Sequence, residues 1–333
     1  MKATRYLMGA LLALSMATGA GASEKANLIL DWLIIGSHAG YYSALDKGFF
    51  KDQGIDMTII PGKGSGYAVK TLGAGKVTFG YADLGAMIVG RSKGATNRMI
   101  GMLIGNAPYV LYSLEPNAVR KPKDLEGKSI ASTRGNTLYI LFPAFAKLAG
   151  FDANKVKWQI MTVGAMIPSL ISGKVDLSAH YTGSGPIVEG TAAKNGKKAV
   201  PLYYRDYGFN IYSNGLQTQD ETIAKNPKLV RAFLAAIYKG VGWAIANQKE
   251  AIKILGKYNQ ALNPDLGLKS WQVTIKEILT DEVKKHGLGY MTAEKVKNTR
   301  KMMVDFLNVK NPPSVSESYT TEFLPGIIPP KGM

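Results

Sequence analysis

Short runs with β-strand character alternate with helical runs over roughly the first two hundred residues of the chain. ANLILDW at 26–32 is a strand candidate, AGYYSALDKGFFKDQ at 39–53 a helix candidate and GIDMTIIPG at 54–62 a second strand candidate. SGYAVKTLGAGK, VTFGYA and DLGAMIVGRSKG repeat the alternation between 65 and 94. This pattern predicts a parallel or mixed sheet covered by helices on both faces, and therefore an α/β fold.

A second α/β unit begins near Pro122. The strand candidate KSIAST at 128–133 precedes a helix that Gly150 stops, and VKWQIMTV, AMIPSLISGKV and DLSAHYTG then repeat the strand-helix-strand order. From Asn226 the chain becomes strongly helical, beginning with PKLVRAFLAAIYKGVGWAIAN at 227–247. We therefore expect two α/β domains, a helical C-terminal part and an irregular tail over GIIPPKGM.

The first residues have the pattern of an export signal. Lys2 and Arg5 precede the apolar run LMGALLALSMATGAGA, which ends in small residues. We interpret residues 1–22 as a signal peptide cleaved near Ala22, in preference to a buried helix, and expect a periplasmic protein. No later run reaches the length of about 18 apolar residues that a membrane span requires.

The chain is basic and contains no cysteine. Without Lys2 and Arg5, two positive residues fewer, its formal net charge of +17 becomes +15. The lysines are scattered, which is typical of a solvated surface and argues against a nucleic-acid partner. The lack of cysteine excludes thiol catalysis, thiolate metal sites and covalent haem attachment.

Polar and aromatic residues follow several of the predicted strands. Ligands of open α/β sheets bind beyond the carboxyl ends of the strands, so we expect a site among 31–41, 62–66, 81–83, 133–137 and 180–183. The turn GKGSG at 62–66 is not a phosphate loop, because Tyr67 stands where the nucleotide motifs require another residue. We interpret it as a glycine-rich turn whose amides approach a ligand.

The titratable residues favour binding over catalysis. His38 and His180 follow different strands, and we expect them to act as donors to a ligand in preference to forming a zinc site. His286 is interpreted as a helix-end residue. Asp31 and Asp83 either cap helices or contact the ligand. No nucleophile, base and oxyanion hole assemble in the sequence, so we predict neither an enzyme nor a cofactor.

Arg134 lies between a predicted strand and a helix, where a guanidinium and helix amides together suit a carboxylate or sulfonate. An arginine on a surface loop is the alternative. Trp32, Tyr41, Tyr81, Tyr181 and Tyr207 fall at strand ends or loops. Some of these rings belong to the core, but several together would suit a flat, aromatic ligand.

The segment LDWLIIGSHAGYYSALDKGFFKDQGIDMTIIPGKGSG at 30–66 resembles the opening of ABC-transporter substrate-binding proteins. The group is the SsuA/THI5-like (NMT1) family, which includes thiamine-pyrimidine, riboflavin and taurine/alkanesulfonate receptors. LISGKVDLSAHYTG at 170–183 and the segment 206–247 resemble the family as well.

The resemblance implies a bilobal type II periplasmic-binding-protein fold. Residues 23–108 and 209–333 would form lobe 1, residues 109–208 lobe 2, and crossings near 109–114 and 205–212 the hinges. A monomer would capture a small organic ligand, aromatic or heteroaromatic and possibly anionic, and deliver it to an ABC permease and its ATPase subunit. Carried over onto this sequence, the ligand contacts are Trp32, His38, Tyr41, Ser65, Asp83, Asn106, Arg134, Asn136, Thr137, His180, Tyr181 and Asn210.

Several alternatives stay open at this point. His180 and Arg134 depart from the family pattern and favour an aromatic acid or sulfonate over a neutral thiamine-pyrimidine precursor. A sensory binding protein that docks on a receptor would have the same sequence features. A pyrimidine synthase related to the yeast enzymes would require a cysteine-rich iron site, which this chain cannot supply.

Overall fold

The computed structural model describes residues 23–329 of the chain. The predicted signal peptide, residues 1–22, lies outside the described residues. The strands are β1 Glu24–Ile29, β2 Ile55–Ile60, β3 Phe79–Asp83, β4 Asn97–Met102, β5 Tyr109–Leu114, β6 Ser129–Ser132, β7 Lys157–Ile160, β8 Leu177–Tyr181, β9 Ala199–Tyr203 and β10 Asn214–Gln219.

Within residues 23–329 these strands form two five-stranded sheets. The first has the order β2-β1-β3-β10-β4, in which β1 is parallel to β2 and β3, and β10 is antiparallel to both of its neighbours. The second has the order β7-β6-β8-β5-β9, with β6 parallel to β7 and β8, and β5 antiparallel to its neighbours. We call each sheet with its helices a lobe. The predicted α/β class with mixed sheets is confirmed.

The helices alternate with the strands and then dominate the C-terminal part, as predicted. They are α1 Ala39–Asp46, α2 Phe49–Asp52, α3 Ser65–Gly73, α4 Leu84–Arg91, α5 Thr137–Ala149, α6 Val163–Ile171, α7 Gly185–Lys194, α8 Asp220–Lys225, α9 Pro227–Ala246, α10 Gln248–Tyr258, α11 Pro264–Ile278, α12 Asp281–His286, α13 Ala293–Leu307 and α14 Val315–Ser318. Short 3₁₀ turns cover Gly36–His38, Pro122–Leu125, Ala153–Lys155, Thr182–Ser184 and Tyr204–Tyr207.

The region 39–53, predicted as one helix, is divided into α1 and α2. Gly48 lies between them with a φ of 76°, a left-handed conformation that glycine adopts without the strain a side chain would add. The break turns Phe50 into the core of the first lobe, where its ring stacks on Phe233 of α9. The local pattern of apolar residues is helical on both sides of Gly48, so the sequence indicates helix throughout.

Helix α9 is the central core helix of the first lobe. Among the described residues, α9 is the one helix that is long and apolar enough to cross a membrane. About two-thirds of its most apolar stretch is buried inside the protein. Phe233 of this helix stacks on Phe79 of β3 at a ring-centroid distance of 3.7 Å. We therefore assign it to the core.

The chain passes between the lobes twice. The segment 109–114, predicted as a hinge crossing, is β5, an inner strand of the second sheet, so the first passage precedes it at 103–108. The second passage lies between β9 and β10 and includes the 3₁₀ turn Tyr204–Tyr207. The proposed lobe boundaries after residues 108 and 208 fall within these two passages and stay a prediction.

Candidate functional site

A cavity of about 50 Å³ lies between the two lobes and is lined by residues of both. Its wall includes seven of the residues expected at the site: Trp32, His38, Ser65, Asn136, Thr137, His180 and Tyr181. It also includes residues outside the list of carried-over ligand contacts, although some of them lie in the predicted site loops: Asp31, Ile35, Ser37, Gly64, Tyr81, Ile104, Pro108, Thr182, Gly183, Ser184, Thr274 and Glu277. The loops after β1 and β8 thus meet, as the rule for open α/β sheets predicts.

Asp31 follows β1 and is held at the cavity wall by two N–H donors. His38 Nε2 lies 3.0 Å from Asp31 Oδ1, and Asn214 Nδ2 donates to Asp31 Oδ2 at 2.7 Å. The Ile35 amide donates to His38 Nδ1 at 3.3 Å, so Nδ1 carries no proton and Nε2 is the N–H that faces the carboxylate. His38 is therefore a neutral positioning residue for Asp31, and Asp31 accepts as a carboxylate at both oxygens.

Tyr181 connects the two lobes at the floor of the cavity. Its hydroxyl lies 2.8 Å from Thr137 Oγ1 in the second lobe and 3.1 Å from Asn214 Oδ1 in the first. Asn136 stands beside it but is engaged with the protein. Its Oδ1 caps α5 by accepting from the Leu138 amide, and its Nδ2 donates to the Ala179 carbonyl. Asn136 thus lines the cavity with a side chain whose oxygen and nitrogen are already hydrogen-bonded to the protein.

His180 presents a hydrogen-bonding atom that the described protein does not satisfy. Its Nε2 lies 2.7 Å from Ser178 Oγ, whereas its Nδ1 is buried without a partner among residues 23–329. Because the buried Ser178 hydroxyl has no other acceptor in this set, it donates to Nε2 and leaves the ring proton on Nδ1. Burial lowers the pKa of His180 to about 4. His180 is therefore a neutral N–H donor at the cavity wall.

Trp32 extends from the first lobe and packs against the apolar core of the second. Its ring is half-buried and lines the cavity together with Tyr81 and Tyr181. The rings of His38 and Tyr81 meet edge to face at a centroid distance of 6.2 Å. The predicted combination of apolar rings with polar edges is therefore present.

Five predicted residues do not line this cavity. Tyr41 is buried behind it, with its ring 5.0 Å from that of Tyr81. Asp83 caps α4 through the Ala86 amide and also accepts from the Tyr109 and Ser213 hydroxyls. Asn106 accepts from Lys295 Nζ at 2.9 Å.

Arg134 and Asn210, the remaining two, are exposed. The loop that carries Arg134 is held against the other lobe by the Gly135 carbonyl and the Thr133 hydroxyl. The Gly66 amide donates to the Gly135 carbonyl at 2.9 Å, and Thr133 Oγ1 donates to the Lys63 carbonyl at 2.9 Å. These contacts leave the guanidinium outside.

The glycine-rich turn 62–66 was predicted to offer its backbone amides to a ligand. The amides of its three glycines instead donate to carbonyls of the protein. The amides of Gly62 and Gly64 donate to the carbonyls of Trp32 and Asp31, and that of Gly66 reaches the second lobe. Gly64 has a φ of 120°, and a Cβ on it would lie 2.2 Å from the Gly135 carbonyl oxygen. The turn therefore requires glycine because the two lobes meet there backbone to backbone.

Helix α11 of the first lobe closes the cavity from the other side, and the sequence did not predict this contribution. Ser270 Oγ donates to the Gly183 carbonyl at 2.6 Å, and Thr274 Oγ1 donates to Ser37 Oγ at 2.9 Å. Glu277 accepts from Arg205 of the second lobe at 2.9 Å. The spacing of these three helix residues, i, i+4 and i+7, places them on one face and is the signal that could have identified them.

The charged residues that line the cavity in the described chain are the carboxylates Asp31 and Glu277, with no lysine or arginine among them. Both are nine-tenths or more buried. Between residues 23 and 329, no group of three or more histidine, aspartate or glutamate side chains is placed to hold a metal ion. The site thus combines aromatic rings, hydroxyls, a neutral histidine donor and negative charge.

Comparison with known proteins agrees with this architecture. The alkanesulfonate-binding protein SsuA from Xanthomonas axonopodis pv. citri, solved bound to MOPS, superposes with a TM-score of 0.70 at 14% identity, over 90% of this chain and 99% of that one. A riboflavin-binding protein, RibY, of Chloroflexus aurantiacus is 22% identical over 91% of this chain and 87% of its own.

The yeast 4-amino-5-hydroxymethyl-2-methylpyrimidine phosphate synthase THI5, from Saccharomyces cerevisiae, is 26% identical over 75% of this chain and 76% of its own. The predicted bilobal periplasmic-binding-protein fold is confirmed by the solved structures. The family model described as NMT1/THI5 like matches residues 36–251, well over half of the chain. The chain therefore belongs to the NMT1/THI5-like family.

Proposed function

We propose that the protein is the extracytoplasmic solute-binding component of an ABC importer. It captures a small organic ligand, aromatic or heteroaromatic, between its lobes and delivers it to a membrane permease that works with an ATPase subunit. The observation that carries the proposal is the cavity itself, whose wall joins Asp31, Trp32 and His38 of one lobe to His180 and Tyr181 of the other. We propose lobe 1 as residues 23–108 and 209–333, and lobe 2 as residues 109–208.

Hydrogen bonds across the rim support capture by closure. The Ser270–Gly183 and Gly66–Gly135 contacts, and the Arg205–Glu277 ion pair, each join one lobe to the other around the cavity. A ligand must enter while these contacts are open, because they enclose the cavity when formed. Contacts that exist in only one of two conformations couple ligand binding to lobe closure.

The aromatic wall supports a flat ligand. Trp32, Tyr81 and Tyr181 offer ring faces in a partly dry space, while the His180 Nδ1–H and nearby hydroxyls offer polar contacts. Ligand sites usually combine an apolar lining with a few polar groups that set orientation. A ring system with hydrogen-bonding groups at its edge matches the chemistry of this lining.

The names of the structural neighbours and relatives support a binding protein over an enzyme, although yeast relatives are named as synthases. We propose a monomer without a cofactor and without catalytic activity. A sensory receptor partner would use the same lobe closure, so the permease itself has to be tested.

The test is a thermal-shift screen of the mature protein against aminopyrimidines, flavins, alkanesulfonates and aromatic carboxylates, followed by small-angle scattering. A ligand that binds only the native state raises the melting temperature. We expect a compound that raises it to reduce the radius of gyration as the lobes close. Stimulation of the permease-ATPase complex by the loaded protein would establish transport. If no compound raises the melting temperature or reduces the radius of gyration, the proposed function is wrong.

A further inference from the structure

We propose that the ligand of this cleft carries a positive charge on nitrogen: an organic cation such as an ammonium, an amidinium or a protonated amino-heterocycle. This inference rests on the proposed binding function and specifies the chemical class of its ligand. It reverses the anionic preference that Arg134 indicated in the sequence.

The Asp31 carboxylate has no lysine or arginine partner in the described chain. Asp31 is 7% exposed and lines the cavity. Its two donors, His38 Nε2–H and Asn214 Nδ2, are both neutral, so they satisfy its oxygens without neutralising its charge. A buried charge is costly unless an opposite charge accompanies it. A cationic ligand would provide that charge when the lobes close.

Glu277 is the other carboxylate of the cavity wall. It is already paired, because Arg205 donates to its Oε1 at 2.9 Å from the second lobe. Arg205 neutralises Glu277 from outside the cavity wall, so this ion pair brings no positive charge into the cavity. Among the described lining residues the net charge that remains is that of Asp31.

Two groups that would suit an anion, Arg134 and the N-terminus of α5, are engaged elsewhere. The side chain of Arg134 is exposed, outside the cavity wall. The N-terminus of α5 is capped by Asn136, whose Oδ1 accepts from the Leu138 amide. An anion in the cavity would face Asp31 with no compensating cation from the described chain, and like charges at close range disfavour binding.

The aromatic wall is compatible with a cation. Trp32, Tyr81 and Tyr181 line the same space as Asp31. A cation within about 6 Å of an aromatic face is attracted by the ring, most strongly by tryptophan. Rings and a carboxylate in one mostly apolar, buried space therefore favour a cation over a neutral molecule of the same shape.

The basic surface does not overturn this local preference. The formal net charge of +17 belongs to scattered lysines, and salt screens exposed charges beyond about 8 Å at physiological ionic strength. The Asp31 carboxylate is screened much less, because it is buried. The charge nearest to the ligand therefore decides the selectivity, while the surface charge affects the rate of encounter.

The experiment compares probes of one shape and three charges. Benzamidine, benzamide and benzoate share a phenyl frame, while ethylammonium, ethanol and ethanesulfonate share an ethyl frame. Affinity for each is measured at millimolar concentration by thermal shift and by ligand-observed NMR, on the wild-type chain and on Asp31→Asn. Asp56→Asn is the matched control, because Asp56 is exposed on β2 and the substitution changes the net charge equally.

We expect the cationic member of at least one series to bind about ten-fold or more tightly than its neutral and anionic partners, as a charge-assisted contact allows. Asp31→Asn should remove this preference and Asp56→Asn should keep it. The wild-type comparison holds even if Asp31→Asn fails to fold.

Preferential binding of benzoate, ethanesulfonate or the neutral probes would overturn the cation inference and leave the proposed function intact. A cation preference that survives in folded Asp31→Asn would overturn it too. No binding by any probe, with no compound from the wider screen raising the melting temperature, would overturn the binding function and the inference together.

Discussion

His38 Nε2 lies 3.0 Å from Asp31 Oδ1, across the loop between the first strand and the first helix. The contact pairs a neutral imidazole with a buried carboxylate, since the Ile35 amide donates to the other ring nitrogen. It fixes the direction of a carboxylate that lines the cavity between the lobes. His38 therefore acts through Asp31, by positioning it.

We expect His38→Ala to lower the free energy of unfolding by about 1–3 kcal/mol, because it leaves a buried carboxylate oxygen and the Ile35 amide without their partners. Urea denaturation of the ligand-free protein measures the change. His286→Ala is the control, since that side chain is exposed and stacks on Tyr290. An equal effect of the two substitutions would contradict the assigned role.

Gly183→Ala should block closure without preventing folding. A Cβ at this position would lie 2.2 Å from Ser37 Oγ and 3.0 Å from Thr274 Oγ1, both in the opposite lobe. Moving Ser37 aside would break its hydrogen bond to Thr274. Overpacking of this kind costs about 1–3 kcal/mol, so affinity for a ligand should fall by roughly 5- to 150-fold.

Small-angle scattering at a ligand concentration that just saturates the wild type checks the closure prediction, and Gly183→Ala should remain more extended than the wild type. Gly164→Ala is the matched control, because a Cβ on Gly164 in α6 meets nothing within 4 Å. A Gly183→Ala protein that closes and binds like the wild type would show that the rim contact is unimportant.

Trp32→Ala should weaken ligand binding by roughly 5- to 30-fold, since loss of an aromatic contact removes about 1–2 kcal/mol of contact energy. Arg134→Ala should leave the affinity unchanged, because this side chain is exposed and does not line the cavity. Titration calorimetry with the compound found by the screen measures both. If Arg134→Ala had the larger effect, the assignment of the cavity as the ligand site would be wrong.

Asp83 should make stability decrease as the pH rises. Burial raises its pKa from 3.8 to about 6, although hydrogen bonds from Tyr109, Ala86 and Ser213 act in the opposite direction. The folded protein therefore binds more protons than the unfolded chain between pH about 4 and 6. This contribution is fully present below pH about 4 and lost as the pH rises through 6.

Relative to Asp83→Asn, the wild type should lose up to about 3 kcal/mol of unfolding free energy across that interval. Urea denaturation at several pH values measures the difference. Asp56→Asn, which removes an exposed carboxylate, should show no comparable trend. A wild-type advantage that grows with pH would have the wrong sign for this explanation.

His180 should have the opposite effect. Burial lowers its pKa from 6.5 to about 4, so the unfolded chain binds more protons than the folded protein between these values. The contribution of buried, neutral His180 to the free energy of unfolding is fully present above pH 6.5 and is lost as the pH falls through 4. Relative to His180→Gln, the wild type should lose up to about 3 kcal/mol as the pH falls across this range.

The same denaturation series tests His180 and Asp83 together. The wild-type-minus-variant difference should slope upward with pH for His180 and downward for Asp83, because the two pKa shifts have opposite signs for proton binding. Parallel slopes would mean that one of the two groups is not buried as described. His286→Ala provides a histidine control at the surface.

The local patterns of the sequence were sufficient to predict the α/β fold, the second α/β unit and the helical C-terminal part. Strand and helix periods are properties of neighbouring residues, and stops such as Gly150, which has a φ of 75° after α5, act locally as well. For the same reason the sequence indicated which loops follow the strands and therefore approach the cleft. Trp32 and His38 were found in this way, whereas His180 and Tyr181 are the last two residues of β8 itself.

Only the tertiary structure decided which side chains of those loops face the cavity. Arg134 is turned outward because its loop docks by its backbone on the turn around Gly64. Asp31 lies at the wall because Asn214, 183 residues further along the chain, holds one of its oxygens. Glu277 and Ser270 reach the site on a helix far from the first loops in sequence. Contacts between segments so distant depend on how the two lobes pack, and no local period encodes that arrangement.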